Sequence, residues 1–155
     1  MFKKKKIELL AACDGQICAL SELNDEAFAS GILGVGYGIK PASEVFRAPI
    51  SGILENVSDT RHAYSIIGES GEEVLVHIGI DTVTLGGEGF DSKVKVGDRV
   101  IAGDPIARVD LARIKEKGLD TSSAVIVTNS DIIKSHSVKF GAALGGKTVA
   151  FVGKI

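Results

Sequence analysis

Two of the three histidines, His62 and His77, flank a stretch that reads as a β-hairpin. Neutral imidazole suits nucleophilic chemistry near neutral pH, because a good share of it is unprotonated there without help. Whether the two rings act together depends on the strands that carry them. Val74, Val76, Ile78 and Ile80 alternate with Leu75, His77, Gly79 and Asp81, the period-2 pattern of a strand with two distinct faces. Upstream, His62, Tyr64 and Ile66 alternate with Ala63, Ser65 and Ile67, and Gly68-Glu69-Ser70-Gly71 between the runs is a turn signal. With Glu69-Ser70 as a two-residue loop, Tyr64 faces Leu75 and His62 faces His77. Directly opposed residues share a face, with Cβ atoms roughly 4.5–5.5 Å apart. A slip of one residue moves the imidazoles to opposite faces and the pair is lost. Glu-Ser is a weaker two-residue turn than Asn-Gly; the paired register is the expected one.

The elements around this hairpin must build one domain from 155 residues, a length sufficient for a sizeable core. The expected division is a flexible basic tail over 1–6 and a single domain over 7–155. A net charge of −2, few aromatics and no Trp argue against nucleic acid. No run of 18 apolar residues and no signal-peptide pattern are present, so the expected setting is cytoplasmic, without membrane insertion. Cys13 and Cys18 fit small buried thiols rather than a redox or zinc motif. Gly34-Val35-Gly36-Tyr37-Gly38 is neither phosphate-loop pattern and reads as a strand with glycines at close contacts.

Elsewhere, short apolar runs are punctuated by Gly, Asp and Pro, as in Val94-Lys95-Val96-Gly97-Asp98-Arg99-Val100. Residues 22–32 are acidic and mixed, a helical turn or ordered loop. Leu111 to Gly118 is the best helix candidate, with Leu111 and Ile114 on one face and Gly118 as stop. Ala48-Pro49-Ile50-Ser51-Gly52 echoes Ala11-Ala12-Cys13-Asp14-Gly15, a weak internal repeat. Strands this short and this closely spaced predict an all-β fold, barrel or sandwich.

Thr60, His62, Ala63, Tyr64, Ser65 and Ile66, followed by Val76, His77, Gly79 to Val83, Leu85 and Gly87 to Phe90, resemble the motifs of the glucose-type enzyme IIA. That family belongs to the bacterial phosphoenolpyruvate-dependent sugar phosphotransferase system. The similarity runs through most of the chain from Ala12-Cys13-Asp14-Gly15 onward, with Gly34-Val35-Gly36 in place of the usual G-D-G. The resemblance implies a flattened antiparallel β-barrel or sandwich of duplicated type with a few short helices. It also implies a phosphotransferase component in which Nε2 of His77 accepts the phosphoryl group. His62 would hydrogen-bond the phosphoryl oxygens and Thr60 would orient an imidazole. Asp25 and Asp81 would meet basic residues of a partner, and Phe28, Ile32, Leu33, Leu75 and Val83 would complete the docking surface.

The implied donor is the carrier protein HPr. The implied acceptor is a cysteine on a sugar-specific IIB domain coupled to a IIC permease, and regulatory targets are a further class of partner. The expected state is a monomer with no cofactor and no required metal; His62 and His77 are capable of holding adventitious zinc. On a straight strand Asp81 lies roughly 13 Å from His77 and orients it only where the chain bends. Gly79, next on His77's face, leaves room for a partner to approach.

A zinc hydrolase is the main rival, since His77-x-x-x-Asp81 has a metal-ligand spacing, but catalytic zinc takes three protein ligands. A biotinyl or lipoyl carrier lacks its modifiable Lys hairpin here. A purely regulatory docking protein is the third alternative. His136, among polar residues, reads as solvent-exposed.

Overall fold

Alternating apolar runs broken by turn residues give short strands throughout residues 6–155, the residues the computed structural model describes. In chain order they are Lys6–Leu10 (β1), Gly15–Cys18 (β2), Val35–Pro41 (β3), Val45–Arg47 (β4), Gly52–Val57 (β5), Ala63–Gly68 (β6) and Glu73–His77 (β7). They continue with Phe90–Ser92 (β8), Arg99–Val100 (β9), Pro105–Val109 (β10), Ser123–Val127 (β11), Ser135–Val138 (β12), Gly141–Ala143 (β13) and Val149–Lys154 (β14). The α-helices are Glu26–Ala29 (α1) and Leu111–Glu116 (α2). The expected basic tail lies outside the described residues except for Lys6, which opens β1 rather than extending the tail.

An eight-stranded sheet runs β13-β2-β3-β11-β7-β6-β5-β9, and two three-stranded sheets run β1-β14-β12 and β4-β10-β8. The fold is all-β with antiparallel, sandwich-like sheets; among the described residues the large sheet ends on β13 and β9 rather than closing into a barrel. The two echoing segments each supply a strand one place in from an edge of this sheet, β2 at one end and β5 at the other. That placement gives the weak sequence repeat a structural counterpart.

One face of the large sheet buries Tyr37, Ile39, Tyr64, Ile66, Val74, Val76 and Val125 against Leu9, Phe46, Ile106 and Phe151 of the smaller sheets. Removing that apolar surface from water is the main driving term. The Tyr37 hydroxyl donates to the Leu10 carbonyl (2.6 Å) and accepts from the Ala12 N–H (3.1 Å), tying the large sheet to the end of β1. The opposite face carries a smaller cluster of Cys18, Leu23, Phe28, Ala124 and Ile126. Central β11 is buried along its whole length because both of its faces are covered.

The β6–β7 register differs from the expected one. Ala63, not His62, pairs with His77, and Tyr64 pairs with Val76. The loop holds three residues: the Gly68 N–H donates to the Glu72 carbonyl, and Gly71 takes φ +84°. Gly71 supplies the left-handed residue that a three-residue hairpin loop demands, and Glu-Ser alone does not. The Glu72 side chain folds back to accept from the Ser70 N–H (3.0 Å) and is buried.

The helix expected from Leu111 is α2. Asp110 caps it by accepting from the Arg113 N–H (3.1 Å), and Gly118 at φ +75° stops the chain just beyond it. The mixed segment over 22–32 contains α1.

Candidate functional site

With period-2 alternation, Val74 and Val76 of β7 point into the main core, so Leu75 and His77 point to the other face. There Ala124 and Ile126 of neighbouring β11 share the surface with His77 and Leu75. Phe28 of α1 packs on that surface, and its ring centroid stands 5.0 Å from that of His77, edge-on at 62°. Asp25 makes this contact possible. Its carboxylate accepts from the Ala27 N–H (2.9 Å) and the Phe28 N–H (3.3 Å), starting a helix of a single turn.

His62 is not a strand residue, and the slipped register alone would have placed it away from His77. The strand begins at Ala63, the His62 carbonyl still follows the β6–β7 register, and the chain turns just before it. Arg61 takes φ +59°, the His62 carbonyl accepts from the Ile78 N–H (2.8 Å), and the imidazole turns back toward β7. The rings of His62 and His77 meet edge-on, centroids 5.0 Å apart and planes at 81°. The pairing expected from the sequence is present, formed by an irregular corner and not by the hairpin register.

The same corner holds Thr60, whose Oγ1 is 2.5 Å from Nδ1 of His62. Thr60 reaches His62 from a turn, not from a strand. Two residues at this corner gave no signal of their own. The Ser58 hydroxyl lies 3.3 Å from the same Nδ1 and accepts from the N–H groups of His62 and Ala63, each at 3.1 Å. Arg61 donates from Nε to the Phe90 carbonyl (3.0 Å) and from Nη2 to the Gly87 carbonyl (3.1 Å), fastening the corner to the loop after β7. A left-handed residue that is not Gly, Asn or Asp is not foreseeable from pattern.

After His77 the chain bends at Gly79 (φ +76°) and again at Asp81 (φ +59°). Gly79 was expected to open space for a partner. It is instead buried, and a Cβ there would overlap the Thr82 side chain. The Gly79 N–H donates to Ser123 Oγ (3.1 Å), and the Thr82 hydroxyl donates to the Ile78 carbonyl (2.5 Å). The turn so fixed presents the Gly79 carbonyl to Nδ1 of His77 at 3.0 Å. A carbonyl only accepts, so Nδ1 carries the proton and Nε2 is left with its lone pair free.

Burial pushes the His77 pKa below the ordinary value of 6.5, against the opposing pull of the Gly79 carbonyl and of Asp25 and Asp81. Asp81 acts on the ring only through its charge. Burial also lowers the pKa of His62, with His77 adding to the effect. Both rings are therefore neutral near pH 7, and His77 offers a pre-oriented nucleophilic nitrogen.

Of the remaining expected site residues, Ile32 (80 % exposed), Val83 (54 %) and Leu33 (37 %) face solvent, whereas Phe28 is buried and Leu75 half-buried. His136 is exposed and stacks on Phe151. Among the described residues, no three His, Cys, Asp or Glu side chains converge as a metal-binding group. No helix among them is long and apolar enough to cross a membrane.

The molecule is an antiparallel all-β sandwich with two adjacent, edge-on imidazoles on one sheet face, and comparison with known proteins gives its family. Residues 7–133 match the model of the phosphoenolpyruvate-dependent sugar phosphotransferase system EIIA 1 family. The chain is 42% identical over 151 residues to the glucose-specific EIIA component of Mycoplasma capricolum, covering 97% of this chain and 98% of that protein. It is 40% identical over 147 residues to a glucose-specific EIICBA component of Streptococcus pneumoniae, covering 95% of this chain and 20% of that protein. A beta-glucoside-specific EIIBCA component of Bacillus subtilis is 41% identical over 125 residues, 81% of this chain and 20% of that protein. The solved glucose permease IIA of Mycoplasma capricolum superposes with a TM-score of 0.90 at 42% identity, over 97% of this chain and 98% of that one. The chain belongs to the EIIA 1 family of the sugar phosphotransferase system.

Proposed function

We propose that the chain is a phosphohistidine carrier. It takes a phosphoryl group from the phosphohistidine of HPr onto Nε2 of His77 and passes it to a cysteine of a sugar-specific IIB domain. The observation that carries this reading is the hydrogen bond from Nδ1 of His77 to the Gly79 carbonyl, which leaves Nε2 as the free nitrogen. In the step, the Nε2 lone pair forms the new N–P bond and the donor's N–P bond electrons return to the donor imidazole. Nδ1 keeps its proton, and the ring gains positive charge as it is phosphorylated. The Gly79 carbonyl, Asp25 and Asp81 all favour that charge. Burial disfavours it and keeps the group transferable.

His62 lies beside the acceptor ring, where a ring N–H can bond a phosphoryl oxygen. Asp25 and Asp81, whose charges act on His77, and the exposed Ile32, Leu33 and Val83 form the proposed docking rim, whose charges govern encounter rate more than affinity. IIB and IIC partners are supported by relatives named EIICBA and EIIBCA, in which the matching region is part of a longer chain.

The test is a reconstituted relay of phosphoenolpyruvate, enzyme I, HPr and this chain, followed by an isolated IIB domain. The expected result is phosphoryl transfer onward to the IIB cysteine. Uptake without any onward transfer to IIB domains would point to the regulatory docking alternative.

A further inference from the structure

The proposed relay leaves one basic cavity unused. It lies where β4 and the turn between β9 and β10 meet the turn between β13 and β14, and its volume is about 480 Å3. In the large sheet β13 stands four places from β7, which carries His77. None of the residues lining the cavity belongs to the histidine site.

Arg47 is held in the cavity wall. Its Nη1 donates to the Gly103 carbonyl (3.0 Å). Its Cδ lies against Gly146, where a Cβ would stand only 2.9 Å from it and 3.0 Å from the Gly103 Cα. Gly146 (φ +72°) and Gly103 (φ +97°) are bare where the arginine stem passes. Arginine has five N–H donors, so most of this guanidinium is left for another acceptor. The residue is half-buried, and among the described residues no carboxylate pairs with Arg47 or with Lys147. A cation partly removed from water without a counter-charge is costly, and a bound anion offsets that cost. Ser43 Oγ, in the same wall, accepts from the Asp14 N–H (3.2 Å) and keeps its own proton to donate.

Lys147 reaches this cavity by an unexpected route. Gly141 to Thr148, G-A-A-L-G-G-K-T, fits the phosphate-loop pattern G-x4-G-K-[ST]. The fold does not use it as one, because the segment turns from β13 into β14 and opens no helix. Its N–H groups are also spent. Gly145 donates to Asp14 Oδ1 (2.8 Å), Gly146 to the Ala11 carbonyl (2.8 Å), and Lys147 and Thr148 to the Leu144 carbonyl (3.2 and 3.0 Å). No backbone cradle for a nucleotide's phosphate chain remains. The turn contributes the Lys147 side chain instead, in the lining that also holds Arg47. Asp14 is the one acid of that lining, so two cations outweigh it. Beyond Asp131 the chain carries Lys134, Lys139, Lys147 and Lys154 and no Asp or Glu, which gives the surrounding field the same sign.

We propose that this cavity binds a small phosphomonoester, with Arg47 and Lys147 on the phosphate and Val45 and Leu144 against the carbon skeleton. The planar guanidinium takes two oxygens of one phosphate side by side and leaves a third for the lysine, whereas a carboxylate has only two to offer. The volume lies in the range of small-molecule sites and exceeds what a bare phosphate ion fills. The proposal does not rest on the carrier reading.

The experiment is a 1H–15N NMR titration of the whole chain with a hexose 6-phosphate, the parent hexose, inorganic phosphate and malate, repeated on Arg47→Gln and Lys147→Gln. The hexose phosphate should bind saturably, one per chain, and shift the amides of Ser43, Gly103 and Gly145 to Lys147 while leaving those beside His77 in place. Arg47→Gln should weaken it roughly tenfold or more, the scale of a lost charged hydrogen bond. Lys147→Gln, at an exposed position that folding does not depend on, should weaken it several-fold. No saturable binding to wild type at millimolar concentrations overturns the proposal, as does Lys147→Gln with unchanged affinity. So does equal binding of the parent hexose or of malate. Inorganic phosphate binding as tightly as the ester would mean an adventitious ion only, and shifts confined to the amides beside His77 would place the ligand elsewhere; either result overturns it.

Discussion

At the scale of single residues, the proposed chemistry rests on which nitrogen is free. Both histidines have folded pKa values below 6.5, so acid protonates the unfolded chain first. Stability therefore rises with pH from the lowered values up to about 6.5 and is lost on acidification through that window. Urea unfolding at pH 7.5 and pH 5.5 should show this loss, and a His62→Ala, His77→Ala double variant should show less of it. NMR titration should place the His77 midpoint below 6.5; a midpoint above it would contradict the burial account. The resemblance assigned the two histidines and Thr60, and the structure brings all three together. Ser58 and the Gly79 carbonyl were not legible, because a serine before a turn and a backbone oxygen carry no pattern.

At the scale of elements, the site is made by the ends of strands. The hairpin register expected from Glu69-Ser70 is off by one, because Gly71 takes the left-handed position in a three-residue loop. His62 reaches His77 through the corner at Arg61, which periodicity does not describe. Gly79→Ala should cost about 1–2 kcal/mol from its left-handed φ alone, and more from overlap with Thr82. It should also loosen the Nδ1 proton of His77, visible as a change in that ring's 15N shifts. Asp25 has two separable jobs. Asp25→Asn keeps a capping oxygen but drops the charge, so it should leave stability near wild type and lower the His77 midpoint further. Asp25→Ala should cost about 1 kcal/mol as well, through the lost cap. Equal stability of the two variants in thermal unfolding would show that the cap contributes nothing.

For the whole molecule, the all-β class was readable from short, regularly punctuated strands, and the repeat at Ala11 and Ala48 foreshadowed two strands near opposite edges of one sheet. The pairing of distant strands such as β11 with β7, or β1 with β14, was not, since it depends on which apolar faces meet. The Tyr37 hydroxyl is one of the bonds joining the sheets. Tyr37→Phe should lower stability by about 1–3 kcal/mol by leaving the buried Ala12 N–H unpaired, a shift measurable in the urea midpoint. The Tyr37 ring lies in the main core, on the sheet face opposite the histidines, so phosphoryl uptake should remain near wild type once the variant is folded.

The most direct test of the proposed carrier role is to load the chain with phosphoenolpyruvate, enzyme I and HPr and to weigh it intact, alongside His77→Ala and His62→Ala. The proposal predicts one acid-labile phosphoryl group on wild type, located on Nε2 of His77 by 31P and 15N NMR. It predicts none on His77→Ala, and on His62→Ala a group that is accepted but poorly passed on. No uptake by wild type, or a phosphoryl group found on Nδ1 or on His62, would contradict it.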